Sequence, residues 1–302
     1  MAKLPAVTIG VCVRNRETMI GDALESIAQQ DFPRELMENI IVDDGSSDNT
    51  LAIVRTLDKK LKLNAKIIHQ EWKGLGPSRN VILNGSTGKY IIWVDSDMIL
   101  AKDFVALQVK FMEENPAVGV AKGSYGIYRA NFVSTLENLE FITTNSKWMR
   151  QFDSNALGTG GSIYRVEAIR RVGGFSMSIK GSGEDAEAEF RIRRAGWKLD
   201  TTSATFFEIR RSDWQSLWKE YFWWGKGGMN LVEGKIATSR YKLFPPFAFV
   251  VECVRVVVAY KTVRRKIALL LPFHYVFKRV AWMAGLLHER YAGALGFSKK
   301  TT

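Results

Sequence analysis

The first hundred residues alternate between continuous apolar runs and stretches in which apolar residues recur every three or four positions. The continuous runs are rich in β-branched residues, as in strands buried on both faces, and predict strands at 6–13, 38–44, 65–70 and 89–95. The periodic stretches predict amphipathic helices at 17–27, 50–60 and 77–85. Strands that alternate with helices of this length indicate right-handed βαβ units, and therefore an α/β fold with a mostly parallel sheet.

Polar clusters follow three of these predicted strands. Arg14-Asn15-Arg16 follows the first strand, Asp43-Asp44-Gly45-Ser46 the second, and Asp95-Ser96-Asp97 the fourth. Open α/β sheets bind ligands at the carboxyl ends of their strands. We therefore expect a ligand site where these three clusters meet.

Beyond residue 100 the pattern is less regular. It predicts helices at 101–114, 132–152, 184–195 and 213–224 and a strand at 204–209. One face of the last helix is apolar and mostly aromatic, with Trp214, Leu217, Trp218, Tyr221 and Phe222. Core packing is the favoured interpretation of this stripe, and a platform for a sugar or a lipid is the alternative. The glycines around Lys226 then predict a flexible loop at 225–228.

Composition and charge add two points. The chain has 302 residues, of which 46% are hydrophobic, so it can bury a large core, and its two cysteines are too few for a disulfide framework or a zinc site. A reducing compartment is the simpler environment for such a chain. The net charge of +12 is uneven, because residues 240–302 contain twelve basic and two acidic residues and the remainder is nearly neutral.

The basic C-terminal segment has the character of a membrane-surface module. Its apolar runs between residues 243 and 287 are interrupted by charges, and none approaches the roughly 18–20 apolar residues of a spanning helix. Polar residues fall on one helical stripe (Glu252, Arg255, Thr262, Lys266) and valines on the opposite one (Val250, Val254, Val257, Val258). Such helices lie in the membrane interface and favour anionic lipids. We therefore predict peripheral or monotopic attachment to the cytoplasmic face of a membrane.

This basic segment has two alternative partners. It would also suit packing on the rest of the protein or on a second subunit. Nucleic acid is not favoured as a partner, because the charges interrupt long aliphatic runs and the sequence shows no recognised nucleic-acid motif.

Asp95 and Asp97 are the first candidates for chemistry. Residues two apart in a strand face the same side, so the two carboxylates lie together unless the strand ends between them. Carboxylate oxygens suit Mg²⁺ or Mn²⁺ that bridges phosphates. A solvated turn is the alternative for an isolated D-x-D, and an Asp-Gly turn is the alternative for the cluster at 43–46. Convergence of three polar strand ends favours the cation site.

In order and spacing, six segments resemble those of family 2 glycosyltransferases of the GT-A fold. They are VTIGVCVRNR (7–16), VDDGSSDNT (42–50), GPSRN (76–80), WVDSD (93–97), GTGGSIYR (158–165) with VGGF (172–175), and GEDAEAEFRIRRAGW (183–197). The resemblance implies a Rossmann-like sheet flanked by helices. It divides the chain into a catalytic domain at 1–230, with a nucleotide-binding half at 1–100 and an acceptor-side half at 101–230, and a basic amphipathic helical module at 231–302.

The same resemblance implies roles for individual residues on the donor side. The backbone around Val13 and Asn15 and the carboxylate of Asp44 would hold the nucleotide base, with Arg79 near the nucleotide. Asp95 would face the ribose side of the donor. Asp97 would bind the divalent metal, Mn²⁺ or Mg²⁺, that bridges the diphosphate. Independently of the resemblance, the predicted glycine-rich loop at 225–228 would let Lys226 cover the diphosphate.

The acceptor side centres on Asp185, which the resemblance implies is the catalytic base. Glu184 and Asp185 open a predicted helix after a Gly-Ser-Gly run, where the positive end of the helix stabilises anions; ordinary helix N-terminal charge is the alternative. The other acceptor-side candidates are Gly160, Gly161, Glu184, Trp214 and Trp218.

The chain departs from the family pattern at two places. Many relatives have a histidine after the strand that follows the catalytic helix, whereas this chain has Phe206-Phe207-Glu208-Ile209. Glu208 would then be either a further metal ligand or an ion-pair partner of Arg210 or Arg211. The Q-x-x-R-W sequence of processive relatives is absent, which disfavours a processive polymer synthase.

The expected function is an inverting, metal-dependent transfer of a sugar from a UDP- or GDP-linked donor to a lipid-linked glycan or polyprenyl phosphate at a membrane. A sugar nucleotidyltransferase is a rival enzyme, but residues 11–18 lack the Gly-rich, Arg-containing loop that it needs. A catalytically inactive membrane-bound scaffold is the other rival, and the carboxylates at 44, 95, 97 and 185 argue against it.

Overall fold

The protein divides into two compact units. The computed structural model describes residues 6–128, 131–144, 156–179, 182–233, 249–250, 253, 256–257, 259–261 and 264–294. The first unit comprises Met1–Tyr128, Ala156–Lys180 and Glu184–Ile209, and the second comprises Arg129–Asn155, Gly181–Gly183 and Arg210–Thr302.

The first unit contains an eight-stranded sheet. Its strands are β1 (Val7–Val13), β2 (Met37–Asp44), β3 (Lys66–Gln70), β4 (Tyr90–Trp93), β5 (Met98–Leu100), β6 (Val118–Gly126), β7 (Ser162–Arg165) and β8 (Lys198–Glu208). The order across the sheet is β3-β2-β1-β4-β7-β6-β8-β5. Strands β1 to β4 pair in parallel, β7 is antiparallel to β4 and β6, β6 and β8 are parallel, and β5 is antiparallel to β8.

Nine α-helices lie in the described part of the chain. They are α1 (Ile20–Ala28), α2 (Thr50–Leu61), α3 (Leu75–Gly85), α4 (Phe104–Glu114), α5 (Phe132–Thr144), α6 (Val166–Arg171), α7 (Glu184–Arg194), α8 (Trp214–Glu233) and α9 (Leu271–Ala294). Short 3₁₀ helices cover Arg34–Leu36 and Lys266–Leu270.

Alternation along the central strands separates two apolar clusters in the first unit. Ile41 of β2 and Ile92 of β4 belong to one cluster, whereas the adjacent Val42 and Trp93 belong to the other. Helices therefore cover both faces, which explains why these strands are apolar without interruption. The α/β architecture predicted from the sequence is confirmed. Strands β5, β6 and β7, which were not predicted from the sequence, make the far half of the sheet mixed.

The second unit is helical in its described part. Helices α8 and α9 pack closely. A Cβ at Gly225 would overlap the carbonyl of Trp282, and one at Gly285 would overlap that of Phe222. The flexible loop predicted at 225–228 is wrong, since these glycines lie within α8 and serve helix contact. Lys226 lies in that helix, with its Nζ 3.6 Å from Glu289 Oε2.

The aromatic stripe of α8 packs as a core face. Leu217 and Tyr221 are buried, and the Trp214 and Trp218 rings lie 5.0 and 5.5 Å from the Phe277 ring of α9. Core packing, the favoured interpretation, is therefore confirmed for Leu217 and Tyr221, whereas Trp214 remains 39% exposed. The sequence placed the domain boundary at 230, whereas the first unit ends at Ile209. The two differ because α8 contributes its apolar face to the helical unit.

Two sequence predictions reach beyond the described residues. Glu252, Val254, Arg255, Val258 and Thr262 of the proposed amphipathic stripe lie outside them, and so does the predicted helix at 132–152 after Thr144. In the described part of the chain, one helical segment, Lys266–Tyr291, is long and apolar enough to cross a membrane, judged by length and composition alone. Of its most apolar window, 39% is buried in the protein.

Candidate active site

The ends of β1 and β2 are tied together by polar side chains. Asn15 adopts a left-handed backbone conformation with φ of 51°, its N–H donates to Ser46 Oγ at 3.0 Å, and its Oδ1 accepts from the Ser47 N–H at 2.8 Å. Asp43 is fully buried and accepts from the ring of His69 at 2.7 Å. The backbone around Val13 and Asn15 is therefore held in one conformation at the carboxyl edge of the sheet.

Asp44 organises the neighbouring loop. It is 6% exposed, and its carboxylate accepts hydrogen bonds from Gln70 Nε2 at 2.7 Å, from the Lys73 N–H at 2.9 Å and from the Gly74 N–H at 2.8 Å. A carboxylate has about four lone-pair sites, so one site is left for a ligand. Its predicted contact with a nucleotide base is compatible with that geometry and stays a prediction.

Arg79 on α3 is a buried cation beside the acidic residues. Its side chain is 5% exposed and forms an ion pair with Glu184 at the start of α7, while its Nη2 lies 4.0 Å from Asp95 Oδ1. Glu184 itself is 1% exposed. The pair thus fixes the beginning of the helix that carries Asp185.

Asp95 and Asp97 lie in the turn that joins β4 and β5. Strand β4 ends at Trp93, ahead of both residues, so strand alternation does not place them. The turn is held by its backbone, with the Met98 N–H donating to the Asp95 carbonyl at 3.1 Å and the Ile209 N–H donating to the Asp97 carbonyl at 2.7 Å. Among the described residues, no side chain forms a hydrogen bond or ion pair with the carboxylate of Asp97.

Burial and neighbouring charges perturb the carboxylate of Asp95. Its side chain is 41% exposed, yet the surrounding protein removes long-range hydration, and this desolvation raises the pKa of Asp95. The negative charges of Asp97 and Asp185 raise it further, whereas Arg79 and Lys122 oppose the shift. A divalent cation beside these carboxylates would relieve that repulsion.

A glycine-rich loop at 157–161 brings Asp185 to the same place. The Thr159 N–H donates to Asp185 Oδ2 at 3.3 Å. Gly160 lies so close to Asp95 that a Cβ there would be 2.5 Å from Asp95 Oδ2 and would overlap Met98. The loop therefore contacts both the predicted donor side and the predicted base, and it needs glycine at position 160 to do so.

Two buried side chains of the site were not predicted from the sequence. Lys122 of β6 is 3% exposed, and its Nζ lies 5.3 Å from the Tyr125 ring and 5.6 Å from the Phe206 ring. Glu189 of α7 is 1% exposed and accepts a hydrogen bond from the Tyr164 hydroxyl at 2.6 Å. A lysine within an apolar strand and a carboxylate four residues after Asp185 are the signals that would have identified them.

The donor set of the first unit suits a metal that shares its coordination with phosphate. Glu208 of β8 lies opposite Met98 of β5, and Met98 directly follows Asp97 in the chain. However, among the described residues the three carboxylates 95, 97 and 208 do not form a cluster of ligand atoms within 4.8 Å. Mg²⁺ and Mn²⁺ are commonly held by one or two carboxylates plus substrate oxygens, which Asp95 and Asp97 satisfy. The role of Glu208 stays a prediction.

A cluster with metal-ligand spacing does occur in the second unit. Glu137, Glu140 and His274 bring their ligand atoms within 4.8 Å of one another. Lys278 Nζ lies 2.5 Å from Glu137 Oε1 and 2.7 Å from Glu140 Oε2, so an ammonium group already supplies the cation. This cluster is a buried ion-pair network, and the predicted metal site is not located there.

The predicted residues thus fall into two groups. Val13, Asn15, Asp44, Arg79, Asp95, Asp97, Gly160, Gly161, Glu184, Asp185 and Glu208 belong to the first unit, and Lys226, Trp214 and Trp218 belong to the second. The first unit brings Arg79, Asp95 and Glu184 into one connected arrangement, and the loop at 157–161 joins Asp185 to it. The roles of Lys226, Trp214 and Trp218 stay predictions.

The solved structures most relevant to this fold are those of nucleotide-sugar enzymes. The mannosyltransferase PcManGT from Pyrobaculum calidifontis, in complex with GDP-Man and Mn²⁺, superposes with a TM-score of 0.59 at 18% identity and covers 99% of this chain and 77% of its own. TarS residues 1–349 of Staphylococcus aureus with UDP give 0.54 at 19% identity, covering 97% and 93%. These likenesses confirm the GT-A fold class.

The chain is similar in sequence to several curated proteins over part of their length. The poly(ribitol-phosphate) beta-N-acetylglucosaminyltransferase TarS of Staphylococcus aureus is 37% identical over 101 residues, which are 33% of this chain and 18% of TarS. The probable glycosyltransferase YdaM of Bacillus subtilis is 24% identical over 244 residues, which are 77% of this chain and 57% of YdaM. The chain therefore spans well under two thirds of the length of these relatives.

A match to a family model gives the most direct assignment. The model named glycosyl transferase family 2 matches residues 8–173. The matched range contains the polar ends of β1 and β2, the Asp95–Asp97 turn and the loop at 157–161. Because the match spans more than half of the chain, the chain belongs to glycosyl transferase family 2.

Proposed function

We propose that the protein is an inverting, metal-dependent glycosyltransferase that moves a sugar from a nucleotide-sugar donor to a lipid-linked acceptor at a membrane surface. The observation that carries this proposal is the meeting of Asp95, Arg79 and the loop that contacts Asp185 at the carboxyl edge of one sheet. Structural neighbours solved in complex with GDP-Man, UDP or UDP-GlcNAc support a nucleotide-sugar donor.

On the donor side, the chain supplies a preformed frame. The backbone at Val13–Asn15 and the loop fixed by Asp44 would bind the nucleotide, with the Arg79 guanidinium beside the donor. Asp97 would hold Mn²⁺ or Mg²⁺, which when bound would neutralise the charge of the nucleoside diphosphate leaving group, and Asp95 would face the ribose side of the donor. The nearest cation to Asp95, Arg79, is already paired with Glu184, so the acidic turn suits a cationic ligand.

On the acceptor side, Asp185 would act as the general base. It lies at the first turn of α7, and the Thr159 N–H orients its carboxylate. Its free oxygen positions would accept the proton of the acceptor hydroxyl as that oxygen attacks the anomeric carbon from the face opposite the leaving group, which inverts the configuration. If the acceptor is a polyprenyl phosphate, which is already anionic, Asp185 would be needed less for proton removal.

The second unit offers a surface that fits an anionic membrane. Arg264, Arg265 and Lys266 are exposed next to the exposed apolar residues Leu269, Leu270 and Phe273, and we call these six residues the 264–273 surface. Basic and apolar groups side by side favour the interface of anionic lipids over water. This supports peripheral or monotopic attachment, and with it an acceptor that is itself anchored in lipid.

The test is a product assay. The full chain is incubated with UDP-glucose, UDP-GlcNAc or GDP-mannose and Mn²⁺, with vesicles that contain a polyprenyl-linked glycan or polyprenyl phosphate, and nucleoside diphosphate is quantified. We expect nucleoside diphosphate and a glycolipid whose anomeric configuration, measured by NMR, is opposite to that of the donor. A parallel incubation with UTP or GTP and a sugar 1-phosphate tests the rival enzyme, since pyrophosphate release there would identify a nucleotidyltransferase. Absence of donor binding and turnover would favour an inactive scaffold.

The base is tested by Asp185→Asn. General-base catalysis contributes about 10²–10⁴-fold, so transfer to a hydroxyl acceptor should fall by that factor while donor binding, measured by calorimetry, persists. Wild-type turnover in Asp185→Asn would refute the assignment of Asp185 as the base.

A further inference from the structure

Glu189 is a buried carboxylate that no step of the proposed reaction uses. It lies one helical turn after Asp185 on α7 and is 1% exposed. Its Oε1 accepts a hydrogen bond from the Tyr164 hydroxyl at 2.6 Å, and its Oε2 accepts one from the Leu157 N–H at 2.6 Å. Each oxygen is therefore held by a donor on a different segment of the first unit.

The Leu157 contact fastens one end of the loop at 157–161. The other end is fastened at Gly161, whose N–H donates to the Trp93 carbonyl at 2.9 Å and whose carbonyl accepts from the Gly123 N–H at 2.9 Å. Between these anchors, the Thr159 N–H meets Asp185. Loss of the Glu189 anchor would therefore free the part of the loop that orients Asp185.

The surroundings of Glu189 favour its neutral form below neutral pH. The titratable and charged groups that act on it are Asp185 on its own helix, Lys122 on β6 and the Tyr164 hydroxyl on β7. Burial raises the pKa of Glu189 to about 7, the Asp185 charge adds to this rise, and the Tyr164 and Leu157 hydrogen bonds and the Lys122 charge oppose it. Its hydrogen bonds to the loop and to Tyr164, and not a fixed negative charge, are therefore what Glu189 contributes at the site.

We propose that Glu189 is a positioning residue for Asp185: it anchors the loop that orients the Asp185 carboxylate. This inference rests on the proposed role of Asp185 as the base. Glu189 contacts neither substrate in this scheme, since its side chain is buried behind the loop.

Two substitutions separate the anchoring from the charge. Glu189→Gln can keep both contacts, because its amide oxygen can accept from the Leu157 N–H and its amide nitrogen can donate to the Tyr164 oxygen, but it removes the charge. Glu189→Ala removes both contacts and the charge. Glu187→Gln is the matched control, since Glu187 lies on the same helix and pairs with Arg191 at 2.6 Å.

Anchoring is measured without any substrate, by hydrogen exchange of the backbone amides at 157–161. We expect Glu189→Ala to lower the protection of Leu157 and Thr159, and Glu189→Gln and Glu187→Gln to retain it. Unchanged protection in Glu189→Ala would overturn the anchoring role. If Glu189→Ala does not fold, as judged by circular dichroism, Glu189→Asp takes its place, because the shorter side chain cannot reach both donors.

The effect on catalysis is measured with the nucleotide sugar that is turned over in the product assay. Misplacement of a catalytic group by about 1 Å costs on the order of 10²-fold, so Glu189→Ala should lose kcat on that scale with little change in donor KM. Glu189→Gln, which can keep both contacts, should retain most of the wild-type kcat, and Glu187→Gln should match wild type. Wild-type kcat in Glu189→Ala, or an equal loss of kcat in Glu189→Ala and Glu189→Gln, would overturn the positioning role.

The two proposals fail in different ways. If Asp185→Asn is impaired but Glu189→Ala turns over like wild type, only the inference about Glu189 is refuted. If Asp185→Asn itself turns over like wild type, the base assignment is refuted, and the hydrogen-exchange result still decides whether Glu189 anchors the loop.

Discussion

The protein contains two acidic clusters, one in each unit, and they differ in where their positive charge comes from. In the second unit, Glu137 and Glu140 are paired with the buried Lys278 at 2.5 and 2.7 Å. In the first unit, Asp95 has Arg79 only at 4.0 Å, and Arg79 is already paired with Glu184. Asp95 thus lacks a close cation of its own, whereas Glu137 and Glu140 share one.

This difference distinguishes a binding site from a structural network. The attraction of Lys278 and the hydrogen bond of His274 outweigh the effect of burial and lower the pKa of Glu137 to about 2. In contrast, desolvation and neighbouring carboxylates raise the pKa of Asp95. Carboxylates that are neutralised within the fold contribute to stability, whereas carboxylates that repel one another in a cleft are suited to a cationic ligand.

The largest expected effect is on the first cluster. Asp97→Asn, or removal of divalent metal with EDTA, should reduce transfer by about 10²-fold or more, since charge stabilisation of a leaving group by a metal contributes several kcal/mol. Thermal unfolding of Asp97→Asn should match wild type, and Mn²⁺ should restore activity only to the chelated wild-type protein. Asp103→Asn, at an exposed position, is the control. Full activity in EDTA would mean that the first cluster needs no cation, and the contrast with the second cluster would then be wrong.

Substitutions in the second cluster should lower the stability of the fold. Lys278→Met leaves two buried carboxylates without their cation, and breaking a buried pair in this way costs about 3–5 kcal/mol of the free energy of unfolding. Urea unfolding followed by circular dichroism measures it. Lys226→Ala, whose partner Glu289 is 40% exposed, should cost under about 1 kcal/mol. Equal costs for the two variants would contradict the structural role of the buried network.

The buried glutamates of the two units should give opposite pH dependences of stability. The pKa of Glu137 is about 2 against an ordinary 4.5, so its stabilising contribution is present above pH 4.5 and is lost as pH falls toward 2. The pKa of Glu189 is about 7, so the folded state binds more protons than the unfolded state between pH 4.5 and 7, and stability falls as pH rises through that range.

Substitution by glutamine should remove each dependence separately. Relative to wild type, Glu189→Gln should gain stability between pH 4.5 and 7, by at most about 1.4 kcal/mol per pH unit, the limit for one proton. Glu137→Gln should show a weaker loss of stability below pH 4.5 than wild type. Urea unfolding at pH 3.5, 4.5, 6 and 7 measures both, and parallel profiles for all three proteins would contradict the assigned shifts.

A smaller effect is expected at the close contact between the loop and Asp95. Gly160→Ala places a methyl group where Asp95 Oδ2 and Met98 now lie, so it should displace the Asp95 carboxylate and raise the donor KM roughly tenfold, which corresponds to about 1.4 kcal/mol. Gly21→Ala is the control, because its nearest neighbour would be Leu57 at 3.8 Å. Isothermal titration with the donor gives the affinity directly.

The smallest effect concerns the 264–273 surface. A basic residue near an anionic membrane contributes about 1 kcal/mol, so Arg264→Gln should weaken binding to phosphatidylserine vesicles roughly fivefold in a sedimentation assay. Lys59→Gln, which removes an exposed charge from α2, should leave binding unchanged. Equal binding of both variants, or none by wild type, would argue for a protein partner or a packed surface instead.

The sequence predicted the parallel half of the sheet well because β1, β2 and β4 are mostly buried on both faces and read as continuous apolar runs. It did not predict β5, which has three residues, or β7, which has four, because such short strands carry little periodicity. The glycines at 225–228 were interpreted as a loop from composition alone, since the partner helix that requires close approach lies far along the chain.

Residues of the site were predictable where they follow a strand or open a helix, as Asp44, Asp97 and Asp185 do. Lys122 and Glu189 were not, because their importance comes from burial and from neighbours on other elements. The pairing of Arg79 with Glu184 likewise joins residues 105 positions apart. Such long-range charge pairing leaves no local pattern in the sequence.

The short link between β4 and β5 has a consequence for chain length at the site. Asp95 and Asp97 lie among only four residues between two strands that pair with different partners. Side chains of a strand alternate between faces, so one inserted residue would either break the pairing of β5 or turn Met98 from the core toward the opposite face. Natural or engineered variation in length should therefore be tolerated least in these four positions.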